Sequence, residues 1–143
     1  MTGMRTPTVV PAHPTPIAPL PRSVTIYEVG PRDGLQNEAG LVPTEVKAEF
    51  VRRLLDAGLP VVEATSFVHP KWVPQLADAE DLLRTLGPTA AQLPVLVPNE
   101  RGLDRALELG CRRIAIFASA TDTFARKNLN RDLEGQFAMF EPT

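Results

Sequence analysis

Arg32 and Asp33 stand side by side between two chain-breaking points, Gly30-Pro31 before them and Gly34 after. A regular strand would send neighbouring side chains to opposite faces, but an irregular turn lifts that rule and lets both meet one ligand. An apolar run over 24–29 precedes them and reads as a buried β-strand, which puts the pair at the strand's carboxyl end. A guanidinium fixed beside a carboxylate there suits two tasks, stabilising a developing oxyanion and holding a metal ion. Taken alone, an Arg-Asp pair in a turn is more often a surface ion pair of little energetic weight. Glu63 lies in Val61-Val62-Glu63-Ala64, where a carboxylate in an apolar run is costly unless a partner neutralises it.

Four strand-then-helix units are expected to position these residues. The strands read as 24–29, 61–67, 93–97 and 113–118. Thr44 caps a helix to about Ala57, with Val46, Phe50, Val51, Leu54 and Leu55 at helical spacing and Gly58 as its stop. Pro74 starts a second helix that reaches Leu86 and is stopped by Gly87-Pro88. Asn99 caps a third, which ends at Gly110. A polar loop is expected over 119–130, and a last helix begins near Arg131 or Asp132, carries Phe137, Met139 and Phe140, and is still running at Thr143. Alternating βα units with apolar strands imply a parallel sheet covered by helices. Periodicity leaves two architectures open, a flavodoxin-like sheet and half of an eight-unit barrel.

Composition narrows the class. The 143 residues suffice for one domain with a core, and a net charge of −2 gives no electrostatic reason to expect nucleic acid or an anionic membrane as partner. The one cysteine, Cys111, excludes an intrachain disulfide and fits a reducing compartment, and a cytoplasmic location is expected. Proline is the outlier: 15 in all, six of them at positions 7, 11, 14, 16, 19 and 21. Residues 1–22 therefore read as a disordered Pro-rich leader without the features of a secretory or mitochondrial signal, and His13 as a solvated histidine within it. Residues 23–143 form the domain.

The stretches EVGPRDGLQNE, residues 28–38, and VVEATSFVHPKWVPQ, residues 61–75, together resemble the 3-hydroxy-3-methylglutaryl-CoA lyase family. The resemblance runs from about Ser23 to the end of the sequence. It selects the barrel and implies that 23–143 are the N-terminal half of a TIM (β/α)8 barrel, cut in its fourth helix. It implies cleavage of 3-hydroxy-3-methylglutaryl-CoA to acetyl-CoA and acetoacetate, as in leucine breakdown. Asp33 would ligate a divalent metal, Mg2+ or Mn2+, and Arg32 would stabilise the enolate oxygen of the departing acetyl-CoA. Glu63 would orient Arg32. Gln36 and Ser66 would lie near the substrate, although a loop-stabilising amide and a hydroxyl serving local backbone are equally open for them. Lys127 and Asn128, in FARKNLN, match a stretch that meets acyl-CoA.

Other residues draw plainer readings. Glu28 and Glu38 read as structural, His69 as a solvated loop residue that departs from the family, and Trp72 as a buried anchor of its loop. Cys111 reads as a small buried thiol and not as the family's catalytic cysteine, which belongs to a later loop. The family's His-x-His metal pair has no counterpart here, so the metal site is incomplete and the chain by itself is expected to be almost inactive. Two alternatives share the motif: a lyase for a larger 3-hydroxyglutaryl-CoA, and a non-catalytic half that only associates with a partner. Synthases of the wider superfamily fit less well, because they resemble TLRDG where this chain has GPRDG. A half barrel leaves sheet edges at the first and fourth strands, so a homo-oligomer or a complementary C-terminal half is expected as partner.

Overall fold

The structure, a computed structural model, describes residues 20–143. Most of the expected leader, residues 1–19 with His13, lies outside the described residues. The chain forms short parallel strands alternating with helices: β1 Tyr27–Glu28, α1 Thr44–Asp56, β2 Val61–Val62, β3 Thr65–Ser66, α2 Ala79–Leu86, β4 Val95–Leu96, α3 Glu100–Glu108, β5 Ile114–Ala115, α4 Asp122–Leu129 and α5 Leu133–Phe140. β1 pairs with β2, and β3, β4 and β5 pair in that order, all parallel. This is the expected α/β arrangement of successive parallel βα units.

β2 and β3 are two halves of one strand separated by a bulge. Ala64 N–H donates to the Pro94 carbonyl and Phe67 N–H to the Leu96 carbonyl, so three residues on one strand face two on its neighbour. The extra residue changes which face each side chain takes. Ala64 and Thr65, the latter paired with Val95, both turn toward the helices, and Ser66, paired with Leu96, returns to the side that Glu63 occupies.

The core lies between strands and helices. Val62, Ala64, Val95 and Val97 meet Ala48 and Val51 of α1, Leu82, Leu83 and Leu86 of α2, and Ala106 of α3. The helix ends follow sequence logic. Gly58 and Gly110 take positive φ, 85° and 75°, which a residue with a Cβ adopts only with strain. Asn99 caps α3 by accepting from Gly102 N–H at 3.0 Å, and Asp132 caps α5 by accepting from Gly135 N–H at 2.8 Å.

Several expectations are corrected. The first strand pairs over two residues only, with Val24 and Ile26 exposed, because no neighbour flanks it on its other side among the described residues. The fourth shortens likewise to β5, with Ile116 exposed. Thr44 does not cap α1: it is the first helical residue, and its hydroxyl donates to Asp78 Oδ2 at 2.7 Å. The helix expected from Pro74 is divided into a 3-10 turn, Pro74–Leu76, and α2. The loop expected over 119–130 contains α4, capped by Thr121 and closed by Asn130 in the left-handed region at φ 53°. The last helix starts after Asp132 as expected and ends at Phe140. Phe137 is exposed, whereas Phe140 is buried edge-on against Phe117, with ring centroids 5.8 Å apart.

Candidate active site

Just beyond β1 the chain winds into a π-helical turn, Gly30–Gly34, with Pro31 buried at its start. The Val29 carbonyl accepts from Arg32, Asp33 and Gly34 N–H at 3.1, 2.7 and 3.4 Å, so one oxygen pins the whole turn. Glu28 serves the same turn: its Oε1 accepts from Gly30 N–H at 2.6 Å, the structural role expected of it. The turn presents Arg32 between two carboxylates. Its Nε donates to Glu63 Oε1 in an ion pair, and its Nη1 donates to Asp33 Oδ1 at 2.9 Å. Glu63 is buried, 2% exposed, and its other oxygen accepts from the Tyr27 hydroxyl at 2.7 Å. Burial, and next the hydrogen bond to Glu63, push the Tyr27 hydroxyl well above the usual phenol range.

A cleft of about 790 Å³ opens in front of this cluster. Arg32, Asp33, Gln36, Ser66, Lys127 and Asn128 all line it, with Leu96, Phe117 and Met139 among its apolar walls. Six of the seven residues singled out from the sequence thus share one cavity, and the seventh, Glu63, supports Arg32 from behind. Lys127 and Asn128 reach it from exposed positions on α4 rather than from a loop. Ser66 lines the cleft while its hydroxyl accepts from Val68 N–H at 3.2 Å, so it serves local backbone from a position on the cleft wall.

Trp72 is corrected. It is 82% exposed and lines the cleft instead of anchoring its loop by burial. Gln75 does the anchoring. Its buried amide accepts from Val42 N–H at 2.9 Å and donates to the Leu35 and Gly40 carbonyls at 3.2 and 2.9 Å. It thereby holds the segment that leaves the Arg-Asp turn. Buried Lys47 donates to the Gln75 carbonyl and, at 2.7 Å, to Asp78 Oδ1, joining that segment to α1. His69 is exposed, and Cys111 is buried away from the cleft with burial pushing its thiol up.

Sequence reasoning missed Tyr27 and Gln75, although both stand inside or beside the motif. For Tyr27 the missing signal was register: only the pairing of Tyr27 with Val61 puts its side chain on the face of Glu63. As a metal centre the cluster is partial. Asp33 is the one carboxylate lining the cleft, and no group of three or more His, Cys, Asp or Glu comes together among the described residues. The residues present therefore supply one ligand, not a site.

Known proteins resemble this chain in sequence and fold. The chain is 55% identical over 116 residues to the mitochondrial hydroxymethylglutaryl-CoA lyase of Arabidopsis thaliana, covering 80% of this chain and 25% of that protein. A solved hydroxymethylglutaryl-CoA lyase from Pseudomonas aeruginosa superposes with a TM-score of 0.79 at 39% identity, covering 86% of this chain and 41% of that one. An HMG-CoA lyase from Acinetobacter baumannii, solved in complex with coenzyme A and 3-methylmalate, gives 0.73 at 34% identity, covering 81% and 38%. These neighbours are TIM barrels, and the described units correspond to part of one. The chain thus spans about a quarter of the plant relative and about two fifths of the solved chains. The family profile described as HMGL-like covers residues 23–142, and with the sequence and structural relatives in agreement over the same span, the chain belongs to the HMGL-like family.

Proposed function

We propose that this chain carries the enolate-stabilising part of a 3-hydroxy-3-methylglutaryl-CoA lyase site. Cleaving the bond between C2 and C3 of the thioester leaves negative charge that moves onto the thioester oxygen. A guanidinium already fixed in the cleft stabilises that oxygen without reorganising as the charge forms. Arg32 has that role. Glu63 orients it, taking the Nε–H and leaving the remaining N–H groups for Asp33 and the substrate. Gln36 and Ser66 flank the acyl portion, and Lys127 with Asn128 meets coenzyme A, whose phosphates suit a flexible cation at the cleft mouth. The family implies a divalent cation, Mg2+ or Mn2+, and Asp33 is the side chain here that would face it. The single observation that supports the reading most is the convergence of these residues on one cleft around a clamped Arg32.

The partial ligand set and the share of its relatives that the chain spans support a further reading. Residues 23–143 correspond to the N-terminal half of the lyase barrel, and a complementary C-terminal part completes the site. A lyase for a larger 3-hydroxyglutaryl-CoA keeps the same chemistry with a different acyl group. Relatives include proteins named mitochondrial and others named cytoplasmic, so the family assigns no compartment.

Acetoacetate release from 3-hydroxy-3-methylglutaryl-CoA with Mg2+ tests the proposal. The chain is assayed alone and with the C-terminal part of the Pseudomonas aeruginosa relative added. Turnover is expected only in the mixture. Turnover by the chain alone at the rate of full-length relatives would overturn the half-barrel reading. Absence of turnover in the mixture, with no binding of coenzyme A to the chain, would overturn the lyase reading.

A further inference from the structure

We infer that Tyr27 is a positioning residue of the site, holding Glu63 and through it the guanidinium of Arg32. This deepens the lyase reading and rests on it for its catalytic consequence, but not for its geometry. Glu63 is a buried carboxylate in an apolar strand, and such a group needs both oxygens engaged. Arg32 Nε takes Oε1. With that bond alone the carboxylate could still rotate about its terminal torsion, which is soft. The second bond comes from a different strand: the Tyr27 hydroxyl on β1 donates to Oε2 at 2.7 Å across the Tyr27–Val61 register. Two bonds from two directions fix the carboxylate plane, and a fixed carboxylate plane fixes the plane of the guanidinium that pairs with it.

Tyr27 does not line the cleft, so its hydroxyl acts through Glu63. The charged groups around it are consistent with a proton held on the phenol. Glu63 favours the neutral hydroxyl, and Arg113 and Arg32 oppose it more weakly. The alternative is that Tyr27, a residue 44% exposed, is present for its ring. The two explanations separate on the hydroxyl, which a ring-filling role does not use.

The chain has one tyrosine, so its tyrosinate absorbance reports Tyr27 alone. The native chain is titrated beside the same chain in denaturant. The native transition is expected at higher pH, and Glu63→Gln is expected to move it toward the denatured one. Coincident native and denatured transitions would overturn the inference. The second measurement is solvent exchange of the Arg32 Nε–H proton, identified by its disappearance in Arg32→Lys. Tyr27→Phe is expected to speed that exchange about tenfold while leaving backbone amide protection in α1 and α2 in place, since one lost hydrogen bond of about 1.4 kcal/mol corresponds to a factor of 10. Unchanged exchange in a folded Tyr27→Phe chain would overturn it. In the complemented lyase assay Tyr27→Phe is expected to lower kcat about tenfold with KM unchanged. A wild-type mixture with no turnover counts against the lyase reading alone, because the titration and the proton exchange are read on the chain without substrate.

Discussion

Gln75→Met replaces an amide by an apolar group of similar length and removes three hydrogen bonds at once. The Val42 N–H and the Leu35 and Gly40 carbonyls lose their partner, while the Gln75 main-chain carbonyl keeps its bond from Lys47. A typical intramolecular hydrogen bond contributes about 1 kcal/mol net, so the upper expectation is about 3 kcal/mol. The three groups are only partly buried and water recovers some of this, which brings the expected loss to about 2–3 kcal/mol. For a domain of this size that is a fall in Tm of about 10 °C. Urea unfolding measures the loss, and hydrogen exchange at Val42 locates it. Protection at Val42 should disappear while that of α2 persists. A loss below about 0.5 kcal/mol, or an unchanged Val42 rate, would refute the claim that Gln75 holds the segment after the Arg-Asp turn.

Three further outcomes are expected. In the complemented lyase assay Arg32→Lys keeps charge but loses the planar fork, so kcat should fall about 10²-fold with little change in KM; equal catalysis would show that the fork is unnecessary. Cys111 is buried with its thiol pushed up, so a thiol reagent at mildly alkaline pH should modify the native chain at least about 10²-fold more slowly than the unfolded one, and comparable rates would contradict the burial. Because β1 and β5 flank the sheets and Val24, Ile26 and Ile116 are exposed, we expect sedimentation at low micromolar concentration to find dimers or larger species. A cooperative monomer would count against the half-barrel proposal.

The sequence was informative where local chemistry and periodicity agreed. Gly58 and Gly110 ended their helices and Asn99 capped its own as expected, and the last helix began beside Asp132, because each signal is local and the tertiary structure does not oppose it. The site was legible through the motif: Arg32, Asp33, Gln36, Ser66, Lys127 and Asn128 share one cleft. What failed depended on contacts distant in sequence. α4 was hidden because Asp122, Thr123, Lys127 and Asn128 make a polar stretch whose apolar signal is weak, and the helix is held by the Thr121 cap and the left-handed Asn130 instead. Trp72 was expected inside because large aromatics usually bury area, but its loop directs it to the cleft. Gln136 could not have been foreseen: fully buried, its amide accepts from Ser119 N–H at 2.7 Å and donates to the Ser119 carbonyl at 2.8 Å, tying α5 to the segment after β5.

The bulge between β2 and β3 makes chain length, more than residue identity, the constrained quantity in this segment. Upstream of it odd-numbered positions turn toward Tyr27 and Arg32; downstream the parity is reversed, so Ser66 takes the cleft and Phe67 takes the helical side, where the Arg105 guanidinium of α3 sits 5.1 Å from its ring centroid. Deleting the extra residue, Ala64 or Thr65, would restore plain alternation and leave Ser66 in the cleft, whereas inserting one more residue in regular strand geometry between 63 and 66 would exchange Ser66 and Phe67, placing a phenyl ring in the cleft and a hydroxyl under α3 in a single step. Substitutions here can fail one side chain at a time, whereas an insertion of one residue fails the site and the docking of α3 together. Variation among related chains should therefore be free in type at Ala64 and Thr65, within small residues, and closed to single-residue insertion.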